Sequence, residues 1–131
     1  FGPNQHQEKF IPMIIESVKA NNPVKVYGDG KNIRDWLYVL DHCKAIDLIY
    51  NKGKNGSIYN IGADNELTNL QLVELIFSLF EDKYKKSINF VEDRFGHDKR
   101  YSINSGKIKN ELKWRPTFDF KRSIKEIISR N

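Results

Sequence analysis

Three side chains in this sequence carry the donors that a phosphate group recruits: Arg34, Arg94 and His97, with Lys9 and Lys25 adding charge nearer the front. A diphosphate is held by several convergent cations with forked donors, best where a helix N-terminus adds its own N–H groups. Arg94 and His97 stand three apart around Gly96, so a tight turn there aims both at one anion. Each also has a plainer use, His97 as an imidazole on a surface loop and Arg94 as the partner of Asp93 or Glu92. Tyr27 and Arg34 belong to the run Lys25-Val-Tyr-Gly-Asp-Gly-Lys-Asn-Ile-Arg-Asp-Trp-Leu-Tyr-Val39. A planar ring beside a forked cation suits a ligand with a base at one end and phosphates next to it. An edge hairpin with a core-facing tyrosine and a solvated arginine fits the same residues. Asn69 opens a helix, where its amide serves either a sugar or phosphate or the local cap. Trp36 and Tyr38 read as core.

No reaction centre accompanies these groups. No Gly-x-Gly-x-x-Gly fingerprint follows a strand, so no dinucleotide site is encoded, and no Ser or Cys nucleophile motif occurs. Glu8 and Asp35 are acid/base candidates that nothing pairs. One cysteine and three histidines (Cys43, His6, His42, His97) give no zinc-ligand spacing. The pattern predicts a binding surface, with catalytic, cofactor and metal residues all absent.

The elements that must position these groups follow from periodicity. Residues 7–20 predict a helix with Phe10, Ile11, Ile14, Ile15 and Val18 on one face and Pro12 in its first turn, ended by Asn21-Asn22-Pro23. Residues 24–27 alternate as a strand, Gly28-Asp29-Gly30 turns the chain, and 33–39 resume extended, which places Tyr27 and Arg34 on either side of a hairpin-like reversal. Asp41 is expected to cap a helix over 42–51 that encloses Cys43 as a buried, inert thiol. Residues 57–62 alternate like a strand. Thr68-Asn-Leu-Gln71 is a capping box opening a helix to about residue 80, with Leu72, Val73, Ile76, Phe77 and Phe80 inward. A strand over 87–91, a polar loop over 93–98, a short helix capped by Ser105 and closed by Trp114-Arg-Pro116, and a last helix capped by Asp119 complete the chain. Phe120, Ile124, Ile127 and Ile128 form the stripe of that last helix. The mixture predicts an α/β class chain, a mixed α+β lobe.

Composition bounds the partners. With 39% hydrophobic and 30% charged residues, 131 residues suffice for one domain or a piece of a larger one. No apolar run reaches the ~20 residues of a membrane span. A single cysteine fits a reducing cytoplasm. The start at Phe1, without a Met or a signal segment, suggests a fragment. A net charge of +5 admits an anionic partner, but the lysines are dispersed. The one tight cluster, Lys83, Lys85 and Lys86, follows a helix end, where cations are favoured.

Taken in order, the motifs Phe1-Gly-Pro, Glu8-Lys-Phe-Ile-Pro12, Val26-Tyr-Gly-Asp-Gly30, Ile33-Arg-Asp-Trp-Leu-Tyr-Val39, Asp41-His42, Tyr59-Asn-Ile-Gly62, Asn65-Glu-Leu67 and Asn69 resemble a known family. So do Asp93-Arg94, Gly96-His-Asp98, Arg100-Tyr101, Leu112, Trp114 and Pro116. It is the C-terminal part of the extended short-chain dehydrogenases/reductases (extended SDR) that act on nucleotide sugars, and the Arg34–Val39 run and Gly-His-Asp loop are most similar to its 4,6-dehydratase branch. The resemblance implies an NAD(P)-binding Rossmann-type enzyme whose dinucleotide-binding domain, with NAD and the catalytic residues, precedes this chain. It implies dTDP-glucose as substrate, oxidised at C4, dehydrated across C5–C6 and reduced at C6, with UDP-glucose as the alternative. By the same resemblance, Lys9 and Phe10 meet the nucleotide, and Lys25, Val26 and Tyr27 line the base pocket. Arg34 and Arg94 grip the diphosphate, helped by Asn69 and His97. Residues 39–62 are implied to pack on the preceding Rossmann domain, and the parent is implied to be a homodimer. Two departures stand out: Phe95 where the loop usually has Pro, and Lys113 where many relatives have Gly. Other readings are an epimerase or decarboxylase of the same superfamily acting on a UDP-sugar, and a stand-alone nucleotide or nucleic-acid module.

Overall fold

The computed structural model describes residues 1–130, which pack around two hydrophobic cores. Helix α1 (Phe10–Lys19) buries Ile11, Ile14, Ile15 and Val18 along one face. It begins later than the periodicity predicts, with Lys9 at the N-cap and Pro12 in the first turn, where its missing N–H forfeits no helical bond. Strand β1 (Val24–Tyr27) sends Val24 and Val26 into the same core and leaves Lys25 and Tyr27 on its outer face. Leu72, Val73 and Ile76 of α3 (Asn69–Leu79) and Ile124 and Ile127 of α5 (Phe120–Arg130) close this first core.

The expected hairpin does not form. Strand β1 pairs in parallel with β4 (Ile88–Val91), Val24 opposite Ile88 and Tyr27 opposite Val91. Strand β2 (Ile33–Asp35) instead sits at the centre of a second sheet, antiparallel to β3 (Glu66–Thr68) and parallel to β5 (Arg100–Tyr101). The Gly28-Asp-Gly30 turn thus carries the chain from one sheet to the other. Gly30, at φ +71°, presses against α3: a Cβ there would lie 2.9 Å from Val26 Cγ1 and 3.2 Å from Leu70 Cβ. Strands β3 and β5 were not foreseen, because two or three residues leave no readable alternation. Residues 57–62 alternate, yet they join no ladder among the described residues, since alternation makes a strand only where a partner edge exists.

Helix α2 (Val39–Lys52) starts ahead of Asp41, which therefore is not its cap. Asp41 is buried, and its carboxylate accepts the Thr117 and Phe118 N–H groups and the Thr117 hydroxyl at 2.9, 3.1 and 2.9 Å. Cys43 is exposed rather than buried, because α2 buries Asp41 and Ala45 and leaves the intervening positions outward. Ala45 meets Ile108 of α4 (Gly106–Glu111) and Trp114 in the second core. Ser105 occupies the N-cap of α4, but its hydroxyl turns to Asp64, and the Asn104 carboxamide takes the Gly106 N–H at 2.8 Å instead. The Thr68 capping box on α3 forms in both directions, and Asp119 accepts the Arg122 N–H at 2.7 Å. The α/β character read from the periodicity stands.

Candidate functional site

One cleft of about 1070 Å³ is lined by the start of α1, the outer face of β1, strand β2, the first turns of α2 and α3, the 93–98 loop and β5. That is comparable to the ~300–1000 Å³ of clefts that take drug-sized ligands. Lys9, Phe10, Lys25, Tyr27, Arg34, Asn69, Arg94 and His97 all line it. Val26 does not; strand alternation turns its side chain into the core, and only its main chain is left to face a ligand.

The turn at Gly96, with φ +70°, folds the loop so that the His97 N–H reaches the Arg94 carbonyl at 3.1 Å. Arg94 is not salt-bridged to Asp93 or Glu92. Its guanidinium lies 5.0 Å from the centre of the Tyr27 ring, and the His97 ring meets the same tyrosine edge-on at 6.3 Å. The His97 side chain is only 6% exposed, which removes the surface-imidazole alternative, and its Nδ1 lies 2.6 Å from Asp93 Oδ1. That bond is the first cause holding the Asp93 carboxyl below its ordinary range.

Arg34 donates to its own Ile33 carbonyl at 2.7 Å and to the Asp98 carbonyl at 2.9 Å, while its guanidinium lies 4.8 Å from the Tyr101 ring centre. These contacts use two of its five donors and set the plane of the others. Asn69 is the first residue of α3, and because Thr68 supplies the cap, its carboxamide is not spent there. Lys9, Lys25, Arg34 and Arg94 outnumber Glu8 and Asp35 on the cleft wall. Asp35 is moreover engaged by the Ala63 and Asn65 N–H groups at 2.7 and 2.8 Å, so the field in the cleft favours an anion.

Three contributors went unrecognised. Trp36 was assigned to the core but also stands on the cleft wall, stacked on Phe10 with centroids 6.4 Å apart. Tyr101 is the platform of Arg34, signalled only by its place beside Arg100. Asn32 is buried and donates to the Asp98 carbonyl at 3.3 Å, tying the loop to the first sheet crossing; nothing in its sequence context marks it. Among the described residues, no three His, Cys, Asp or Glu side chains group to hold a metal, and no helix is long and apolar enough to cross a membrane.

The cleft thus sets forked cations beside an aromatic ring on a mixed α/β scaffold. The chain belongs to the GDP-mannose 4,6 dehydratase family, whose sequence model matches residues 1–127. It is 41% identical over 136 residues to dTDP-glucose 4,6-dehydratase of Xanthomonas campestris pv. campestris, covering 98% of this chain and 39% of that protein. Among solved structures, dTDP-glucose 4,6-dehydratase of Bacillus anthracis in complex with NAD shares 44% identity at a TM-score of 0.88, over 98% of this chain and 40% of that one. The Streptomyces venezuelae dTDP-glucose 4,6-dehydratase, with NAD and TYD bound, shares 40% at 0.89 over the same fractions. The chain thus spans about 40% of the length of the relatives it matches.

Proposed function

We propose that this chain is the nucleotide-sugar-binding part of an NAD-dependent dTDP-glucose 4,6-dehydratase, a carbon–oxygen lyase that makes dTDP-4-keto-6-deoxyglucose and water. The convergence of Arg34, Arg94 and His97 on one cleft beside Tyr27 carries this reading. In it Tyr27 and Lys25 receive the base, Arg34 and Arg94 grip the diphosphate with His97 and Asn69, and Lys9 and Phe10 meet the ligand at the start of α1. Binding energy collected at the nucleotide holds the hexose in register for chemistry done outside this chain. NAD, when bound, supplies the hydride acceptor. With no glycine-rich fingerprint after any strand here, its site is assigned to a preceding Rossmann domain.

The same reading gives residues 39–62 a second role, packing on that domain. Leu40, Ile46, Tyr50 and Ile58 are exposed by 46%, 51%, 88% and 82%, an apolar face that suits a partner surface. The assembled protein would be a homodimer in the cytoplasm, where a chain with one cysteine needs no disulfide.

The test uses the complete protein with NAD and, separately, dTDP-glucose and UDP-glucose. A 4-keto-6-deoxy product from dTDP-glucose is expected. Product from UDP-glucose alone would keep the chemistry and change the base, and no keto product from either would overturn the assignment. Arg34→Ala is expected to weaken dTDP-glucose binding roughly tenfold or more while leaving NAD affinity unchanged, since hydrogen bonds to a charged group contribute about 1.5–3 kcal/mol. Equal losses for both ligands would count against the assigned role.

A further inference from the structure

We propose that Asp93 is a positioning residue of this cleft: its carboxylate locks the His97 ring so that Nε2 is the nitrogen offered to the ligand's diphosphate. This deepens the nucleotide-sugar reading and rests on it.

Asp93 Oδ1 accepts twice, from the Arg94 N–H at 2.9 Å and from His97 Nδ1 at 2.6 Å. An ionised carboxylate has only lone pairs to offer, so Nδ1 must carry the hydrogen. The Asn32 amide, 3.3 Å from the same Nδ1, is a donor with an acceptor of its own in the Asp98 carbonyl, and does not compete for that role. With Nδ1 committed and the side chain only 6% exposed, only Nε2 remains for the cleft that His97 lines.

The chemistry of a phosphate then sets a second requirement. Its oxygens accept and do not donate, so Nε2 makes the contact as an N–H, in the imidazolium form. Lys25 on β1, Arg34 on β2 and Arg94 on the loop oppose that charge. Asp93 opposes them from 2.6 Å; Tyr27 and Asn32 are uncharged, and the Asp98 carboxyl is engaged with the Tyr101 hydroxyl, whose acidity it lowers. The carboxylate in direct contact is the group that offsets the three cations.

Asp93 is itself seated in a notch. A Cβ built on Gly28 would lie 3.0 Å from its Oδ2, 3.1 Å from its Cγ and 3.2 Å from its Cβ. The glycine that the turn requires at φ +56° also vacates the space the carboxylate occupies. This contact adds to those of Tyr27 and Asn32 in coupling the β1 turn to the 93–98 loop.

The experiment measures dTDP binding to the complete protein in a double-mutant cycle. Asp93→Asn is expected to weaken dTDP roughly tenfold where His97 is intact and to have no further effect in the His97→Gln background, a coupling of the size found for contacting pairs. Gly28→Ala is expected to behave the same way, weakening dTDP only where His97 is present. Nitrogen NMR of the His97 ring supplies a readout that a merely structural role leaves still: the hydrogen-bonded Nδ1–H resonance shifts in Asp93→Asn. Additive losses in the cycle, or an unmoved His97 Nδ1–H resonance in Asp93→Asn, would overturn the positioning role while leaving the nucleotide-sugar reading intact. Unchanged dTDP affinity in both Arg34→Ala and His97→Gln would instead remove that reading, and this inference with it.

Discussion

Arg34 is placed by a neighbour's carbonyl, its own strand's carbonyl and an aromatic face, and each constraint depends on the guanidinium being flat and forked. Arg34→Lys keeps the charge and loses the fork and the stack on Tyr101. Its dTDP affinity, measured by calorimetry, is expected to fall by roughly tenfold, close to the loss in Arg34→Ala, because a point charge does not replace bidentate contact. Recovery to wild-type affinity would show that charge alone suffices. Tyr27 is a face for Arg94 and, in the proposed reading, a ring for the ligand's base. Tyr27→Phe is therefore expected to bind dTDP like the wild type, whereas Tyr27→Ala loses both functions. Phe95 is fully exposed at the loop tip between Arg94 and Gly96, and the turn forms without the proline expected there.

At the scale of elements, two ties hold the scaffold together. Asp41 on α2 anchors the 117–118 segment that leads into α5, with three donors on one buried carboxylate. Asp41→Ala leaves those donors without their acceptor and is expected to destabilise the fold by about 3 kcal/mol in urea unfolding, the scale of lost hydrogen bonds to a charged group. A loss below ~0.5 kcal/mol, typical of an unremarkable surface site, would contradict this. The second tie crosses the β3-β2-β5 sheet, where Arg100 grips Glu66 at 2.7 and 3.1 Å. Hydrogen bonds from Arg100 first, and then from Ser102, hold the Glu66 carboxyl below its ordinary range. A depressed carboxyl stabilises the fold above its unfolded-state value, near ~4.3 for Glu, and that contribution is lost as pH falls through the lower folded-state value. The Ile33 amide, bonded to the Lys99 carbonyl at 2.7 Å, reports the attachment of β5. Its hydrogen-exchange protection is expected to drop on acidification through that window, and Glu66→Gln is expected to abolish the pH dependence.

For the whole molecule, the apolar face of α2 predicts behaviour that depends on context. Isolated, the 131-residue chain is expected to self-associate, and the Leu40→Glu/Ile46→Glu double variant to sediment as a monomer, because it places charge on residues now 46% and 51% exposed. In the complete protein the same pair is expected to abolish turnover by parting the two domains. A wild-type chain that stays monomeric at high concentration would argue that this face needs no cover. What could be read in advance was local: helix faces such as Ile11, Ile14, Ile15 and Val18, the Thr68 box, and the cap at Asp119 follow from spacing and neighbouring side chains alone. The residues expected to meet a ligand were named from their motifs, and all but Val26 line the one cleft. Pairing was not legible. Whether Tyr27 and Arg34 share a hairpin or stand in two sheets depends on β3, β4 and β5, whose edges come from residues far along the chain. Asp41, Cys43 and residues 57–62 departed from expectation for the same reason: cap, burial and strand each need a partner that local sequence does not specify. Spacing decided which groups were available, and only the tertiary contacts decided which of them meet.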